Sequence, residues 1–433
     1  MRSPARFCGG SGGGRSATTR PLWAPPATLG RVHRLSSRRG VVALLCALAA
    51  VPLLVGVLGW LADWPLGMDS AVYRAGALTL LHGDPLYDTD TLAFEPAWAQ
   101  LPFTYPPAAA LWFVPLAPLP APLAWGALGA ISIAATGLVV TLAMRATPSS
   151  GLLARGPLVA VALTAAVLLL EPVWRTVSLG QVNLILLALI IVDVLVLSAR
   201  GSRAGGVLIG VAAAVKLTPL IFVPHLLFTG HWRDALRALA TFVVLQAAML
   251  TVIPHDVVRY WTKAVSDPTR IGTIHWSDNQ ALNGLVLRLS GNAPWSMAVA
   301  LGIGVLLAAP AVWLMLRYHR RGEDLRAVLV TAGYGLLVSP VSWTHHWVWV
   351  IPLLVTLLAV APRVAAAMVV VFGSYVLLIL PGGRDPDGWS VLDHVLGNAY
   401  LYVPLVLGAA AFVREWRTPQ PQRPPAGVRE LTS

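Results

Sequence analysis

The segment Met68-Asp69-Ser-Ala-Val-Tyr73-Arg74 places a carboxylate a few residues beyond an apolar run that ends near Leu61. An acid at such a boundary can face a lipid-linked substrate, and Asp before Ser-Ala-Val-Tyr can equally cap a short interfacial helix. Phe103-Thr-Tyr105-Pro106-Pro107 follows, whereas Asp84-Pro85 and Asp88 have the composition of water-surface turns.

Four further stretches carry reactive or hydrogen-bonding groups. Glu171-Pro-Val-Trp-Arg175 runs on to Gly180-Gln181-Val-Asn183, and its charge and amides suit a cavity wall or a plain connector. Lys216 interrupts an apolar run, where a cation is costly unless it snorkels or meets an anion such as a lipid phosphate. Asn279-Gln280, with Arg288 beyond, offers amides and a cation that suit sugar hydroxyls and phosphate. Ser339-Pro-Val-Ser-Trp343-Thr-His345-His346-Trp347 sets two histidines at a membrane boundary. Adjacent side chains on a helix diverge, so at most one of the pair is expected in a cavity, and no metal-ligand spacing is present.

These groups are a polar minority. The 433 residues are 57% hydrophobic and 12% charged, with mean hydropathy +0.71, whereas a soluble domain is nearer a quarter charged. Apolar runs recur that could cross about 30 Å of hydrocarbon, at roughly 20 residues each or somewhat fewer. They lie near 41–61, 106–119, 122–144, 157–170, 184–198, 205–227, 236–253, 295–316, 325–339, 347–361, 364–380 and 400–413. The expected fold is an all-α polytopic membrane protein with about 12 transmembrane helices.

Residues 1–40 read as a disordered basic cytoplasmic tail, 41–413 as the membrane domain and 414–433 as a cytoplasmic C-terminal tail. With the tails inside, twelve crossings put the loops 62–105, 254–294 and 381–399 outside. Basic residues then fall mostly inside, but Arg145, Arg155, Arg200 and Arg203 fall on the wrong side. A ten-crossing alternative merges 106–144 and 205–253 and fits the charge as well. The net charge of +12 is explained by this clustering of Lys and Arg in tails and inter-span loops rather than by nucleic acid. Cys8 and Cys46 support neither a disulfide framework nor a thiolate metal site.

In order along the chain, Asp69-x-x-Val-Tyr73, Phe103-Thr-Tyr-Pro-Pro107, Glu171-Pro with Arg175, Gly180-Gln-Val-Asn183, Lys216-Leu-Thr-Pro219, Asn279-Gln280 and Ser339-to-Trp347 resemble glycosyltransferase family 87. Those are actinobacterial membrane enzymes of the GT-C type. The resemblance implies inverting transfer of mannose from polyprenyl-phosphate-mannose to a mannoside 2-hydroxyl, giving an α-(1→2) linkage. The acceptor would be a phosphatidylinositol mannoside, lipomannan or lipoarabinomannan, on the outer face of the plasma membrane.

It further implies Asp69 as base and His345 or His346 against the donor phosphate, with Arg175, Lys216 and Arg288 as supporting cations. Tyr73, Tyr105, Gln181, Asn183, Asn279, Gln280 and Trp343 become substrate-binding candidates. No cofactor or metal is expected, because fixed cations can receive the leaving phosphate. A transporter or flippase of a lipid-linked saccharide is the competing expectation, since Glu171, Asp193 and Lys216 within or beside spans would suit one.

Overall fold

The computed structural model describes residues 38–147 and 156–418. Nearly all of the expected basic tail, with Cys8, lies outside the described residues, as does the chain beyond Thr418. Apart from one bridge between Asn279 and Trp343, the described regular structure is helical.

The helices are α1 (Arg38–Leu61), α2 (Met68–His82), α3 (Pro107–Trp112), α4 (Ala121–Ala146), α5 (Pro157–Val167), α6 (Glu171–Leu179) and α7 (Asn183–Val192). Then come α8 (Val207–Val215), α9 (Phe222–Phe228), α10 (Trp232–Ala248), α11 (Pro254–Thr262) and α12 (Leu282–Ser290). The rest are α13 (Ser296–Arg320), α14 (Asp324–Val338), α15 (Val350–Val360), α16 (Pro362–Gly373), α17 (Val391–Leu396) and α18 (Ala399–Arg417).

Four helices are long and apolar enough to cross a membrane, spanning Val42–Leu61, Ala121–Ala146, Trp232–Thr251 and Ser296–Arg320. Outward-facing Leu61, Val305, Leu306 and Val370 are each about 70% exposed or more. Apolar side chains presented so freely fit lipid rather than water. The chain is an all-helical membrane protein.

Side-chain contacts fix the direction of each helix. Gly56 meets Gly126 while Leu45 meets Gly137, so α1 and α4 are antiparallel. Asp234 lies against Gly206 and Gln246 donates to the Ala214 carbonyl, so α8 and α10 are parallel. His231 and His319 stack edge to face, 5.9 Å apart, which puts the α9–α10 and α13–α14 turns at one end.

Two expected spans are thereby corrected. Residues 106–119 contain Pro106, Pro107, Pro115 and Pro118, and they form only six-residue α3 and a short 3-10 turn, too short to cross. Residues 205–227 are not one span. The chain leaves helix at Lys216 (φ −149°, ψ 132°) and returns toward the end where α8 began, since Asp234, just after α9, lies against Gly206. Both changes alter the alternation in the middle of the chain. Arg145, Arg200 and Arg203 join Arg233, Arg317, Arg326, Arg363 and Arg414 at one end of the bundle. Asp69, the 171–183 segment and the 339–349 segment share the other. Asp193, expected as a transporter-like charge, accepts from the Gly206 and Ile209 amides and so caps the start of α8.

The loop expected over 62–105 holds buried α2, whose start is pressed against the end of α6. Gly67 (φ 72°) precedes α2 and Gly180 (φ 71°) ends α6, both left-handed. A Cβ on Gly180 would lie 2.5 Å from Ser70 Oγ. Glycine there supplies both the backbone conformation and the close approach. Gly180→Ala is expected to cost about 1–3 kcal/mol. Gly83→Ala, also at positive φ but with nothing within 4 Å, should cost clearly less. Thermal unfolding of the two variants in detergent micelles checks this order.

Candidate active site

Because Gly180 lets α6 close on α2, the turn that follows it delivers Gln181 and Asn183 beside Asp69. Asp69 sits in the first turn of α2, where the cap position is Gly67 and no side chain caps the helix. The expectation of a helix-capping aspartate is therefore not met. Its carboxylate accepts from Gln181 instead.

Behind Gln181 stands a pair of buried phenols. Tyr73 Oη donates to Gln181 Oε1 at 2.7 Å, and Tyr105 Oη lies 2.7 Å from Tyr73 Oη. The two rings meet edge to face at 5.0 Å, and Phe113 stacks on Tyr73 at 4.2 Å. Packed rings hold the phenols, the phenols hold the amide oxygen, and the amide nitrogen is left directed at Asp69. Burial raises the Asp69 pKa from 3.8 to about 6, and the Gln181 bond with the charges of Lys216 and Arg175 opposes that rise.

Lys216 is the C-terminal cap of α8, where the negative end of the helix dipole favours a cation. Its Nζ donates to Asn183 Oδ1 at 3.0 Å and to His346 Nε2 at 2.9 Å. An ammonium has three donors, so one remains for a ligand oxygen. Asn183 Nδ2 and Thr176 Oγ1 both donate to the His345 carbonyl, at 2.9 and 3.0 Å. They clamp the 3-10 turn Thr344–Trp349 onto α6 and α7.

On that turn the two histidine rings have centroids 4.7 Å apart and planes near perpendicular, and of the two only His346 lines a cavity. His346 bonds Lys216, and buried His345 Nε2 has no hydrogen-bond partner among the described residues. Burial and the charges of Lys216 and Arg175 push His345 well below the usual imidazole range, so it is neutral and able to donate one N–H. Beside His346 and Asn183 opens a cavity of about 360 Å³, otherwise lined chiefly by apolar groups such as Leu186, Leu217, Phe222 and Leu336.

The structure thus brings together Asp69, Tyr73, Tyr105, Gln181, Asn183, Lys216, His345 and His346, with Arg175 near enough for its charge to act on Asp69 and His345. It does not bring in Asn279, Gln280 or Arg288. Asn279 Oδ1 accepts from the Ser342 and Ala281 amides. Gln280 bonds the Ser277 and Gly397 carbonyls and the Tyr400 and Leu401 amides. Arg288 holds Asn398 and the Trp276 carbonyl. Gln280 and Arg288 pin the 254–294 and 381–399 loops together, and Asn279 holds the 339–349 segment through Ser342 and a backbone bridge to Trp343.

One contributor is not singled out by the sequence, and another, read there as a cavity or transporter-like charge, has a structural partner. Thr176 is an ordinary residue in a helix, and nothing in its sequence context marks it. Glu171, fully buried, accepts from Tyr400 Oη at 2.9 Å and joins α6 to α18. Among the described residues no group of three His, Cys, Asp or Glu side chains could hold a metal ion.

A family model described as Glycosyltransferase family 87 matches residues 103–340. A polyprenol-phosphate-mannose-dependent alpha-(1-2)-phosphatidylinositol mannoside mannosyltransferase of Mycobacterium tuberculosis is 32% identical over 421 residues, covering 92% of this chain and 96% of that protein. The protein of the same description from Mycolicibacterium smegmatis is 36% identical over 332 residues, covering 72% and 74%. A polyprenol-phosphate-mannose-dependent alpha-(1-2)-phosphatidylinositol pentamannoside mannosyltransferase of Mycolicibacterium smegmatis is 34% identical over 352 residues, covering 79% of each chain. No solved structure matches.

Asp69 should be ionised at neutral pH and take a proton as the pH falls through about 6. Since Gln181 stabilises the charged form, Gln181→Leu should move this titration to higher pH. Carbodiimide labels protonated buried carboxyls, so the pH dependence of Asp69 labelling, read by mass spectrometry, checks both statements. A titration left in place in Gln181→Leu would remove the amide from this role.

Proposed function

The chain belongs to glycosyltransferase family 87, and from that premise we propose that it transfers mannose from polyprenyl-phosphate-mannose to a mannose 2-hydroxyl of a phosphatidylinositol mannoside, forming an α-(1→2) linkage. One observation carries the assignment of roles: a carboxylate with a near-neutral pKa stands within electrostatic reach of Lys216, whose ammonium keeps a donor for a ligand.

Asp69 Oδ takes the proton of the acceptor 2-hydroxyl as that oxygen attacks the mannosyl anomeric carbon. The bond from that carbon to the phosphate oxygen breaks with its electron pair, and polyprenyl phosphate departs as a monoester anion. A single displacement of this kind turns a β-linked donor into an α-mannoside. A pKa near 6 leaves Asp69 ionised at neutral pH yet more basic than a solvated aspartate.

The growing phosphate charge meets Lys216 and a His345 N–H, both already held through Asn183, Thr176 and the turn, and the charge of Arg175 nearby. No general acid is required, because the leaving phosphate is weakly basic. With these cations in place we propose that the transfer is independent of divalent metal. The isoprenoid segment next to the phosphate is proposed to enter the apolar cavity beside His346.

The distribution of charge supports an orientation. Arg145, Arg200, Arg203, Arg233, Arg317, Arg326, Arg363 and Arg414 gather at the end opposite Asp69, and the positive-inside rule places that end in the cytoplasm. Both chain ends would then be cytoplasmic, with the site at the outer face of the plasma membrane and about twelve passages of the chain.

Asp69→Asn is expected to lower mannosyl transfer by about 10²–10⁴-fold, the usual contribution of a positioned base. The assay uses membranes with normal amounts of the variant, polyprenyl-phosphate-mannose and an exogenous mannoside acceptor. Transfer near the wild-type rate would remove Asp69 as base. In the same assay, wild-type activity should survive dialysis against EDTA, and loss restored by one divalent ion would overturn metal independence.

A further inference from the structure

A second, larger cavity lies away from Asp69, in a groove bounded by α13, α14, α15, α16 and α18. It measures about 590 Å³, and Leu314, Leu329, Leu353, Val403 and Leu407 are among its walls. Along α14 it extends from Arg326 to Leu337, about 16 Å at 1.5 Å per residue. Room inside is real: a Cβ added to Gly408, which lines the groove, meets nothing within 4 Å.

Its end remote from Asp69 is positively charged. Arg326, Arg414 and Tyr318 line that end. Arg414 approaches Glu415 at 3.3 Å, Arg317 at 3.0 Å and Arg321 at 2.7 Å, so three guanidiniums surround one carboxylate. Two positive charges are left without a countercharge in that group. Tyr318 Oη accepts from Arg414, which keeps its own O–H available to an acceptor. Arg326 lies over the Tyr318 ring at 5.7 Å and pairs with Glu323.

We propose that this groove is a binding site for an anionic glycerophospholipid of the membrane leaflet at the arginine end. Its phosphate lies against Arg414, Arg326 and the Tyr318 hydroxyl, and an acyl chain runs along α14 toward Leu337. Excess charge selects an anionic head group, and basic pockets between membrane helices are suited to such lipids. The sugar donor is the wrong occupant, because a phosphate held at Lys216 is at the opposite end of the bundle from Arg414. Trp349 and Leu336 line both cavities and form the wall between them.

The test uses the full chain in dodecyl maltoside micelles with dioleoylphosphatidylglycerol or dioleoylphosphatidylcholine at equal mole fraction, and counts retained lipid by native mass spectrometry. Wild-type protein should retain the glycerol lipid in preference to the choline lipid. The pair Arg326→Gln with Arg414→Gln should weaken retention about thirty-fold, as two arginines at roughly 1 kcal/mol each would. Gly408→Leu, which fills the chain groove and suits a helix, should lose retention while mannosyl transfer continues at its normal KM. If the arginine variant fails to fold, Gly408→Leu alone decides. Equal retention of both lipids by wild type, or undiminished retention in Gly408→Leu, overturns the proposal. A raised KM for polyprenyl-phosphate-mannose in Gly408→Leu would also overturn it, by giving the groove to the donor.

Discussion

An ammonium group inside an apolar bundle is the constraint from which the rest of the site follows. Lys216 cannot be left alone there, since an unpaired buried charge costs far more than the fold could spare. The chain meets that demand by ending α8 at the lysine, so that the helix's negative end faces the charge. It adds Asn183 Oδ1 and His346 Nε2 as acceptors. Those acceptors come from α7 and from the 344–349 turn, so satisfying one cation draws three distant segments together. The same break sends the chain back toward the end where α8 began, and the alternation of all later helices depends on it.

Hydropathy made the apolar segments legible, and most of the expected spans are helices within a few residues. Their alternation was not legible, for two physical reasons. A hydropathy window averages over Lys216 and sees 205–227 as continuous, although one charged residue is enough to turn the chain. It also scores 106–119 as apolar, although its prolines deny the segment a helix long enough to cross. Both errors shift the same intervening stretch, from the end of the first outer loop to the Lys216 turn. Arg145, Arg200 and Arg203 were misplaced by the sequence alternation and regain the basic end once the two segments are corrected. The charge pattern therefore held the signal that hydropathy lacked.

Residue type alone was a weaker guide to the site. Asn279, Gln280 and Arg288 have the groups that bind sugars and phosphates, yet in the fold their hydrogen bonds close on nearby backbone and on the Asn398 amide. A buried amide or guanidinium must be satisfied by something, and two long loops crossing one another supply unpaired carbonyls in abundance. Lys216, Asn183 and Gln181 differ because they meet at an interface between helices beside a cavity, where each keeps capacity beyond its structural bonds. Thr176 shows the converse. Its hydroxyl clamps the His345 carbonyl, but a threonine in a helix gives no sign of that partner in the sequence.

Asp69 and Lys216 raise a last question, why opposite charges so close do not simply pair. Each alters the other's ionisation, yet neither is among the other's hydrogen-bond partners. Separate amides hold them: Gln181, fixed by Tyr73, takes the carboxylate, and Asn183, fixed by the His345 carbonyl, takes the ammonium. A direct ion pair would draw the carboxylate pKa down and occupy the donor that a phosphate needs. Only Val182 separates Gln181 from Asn183 along the chain, so the short α6–α7 connection sets the gap between the charges. Keeping them apart but within each other's field leaves one group basic and the other cationic. That is the arrangement required when a proton is removed at one point of a substrate pair and negative charge develops at another.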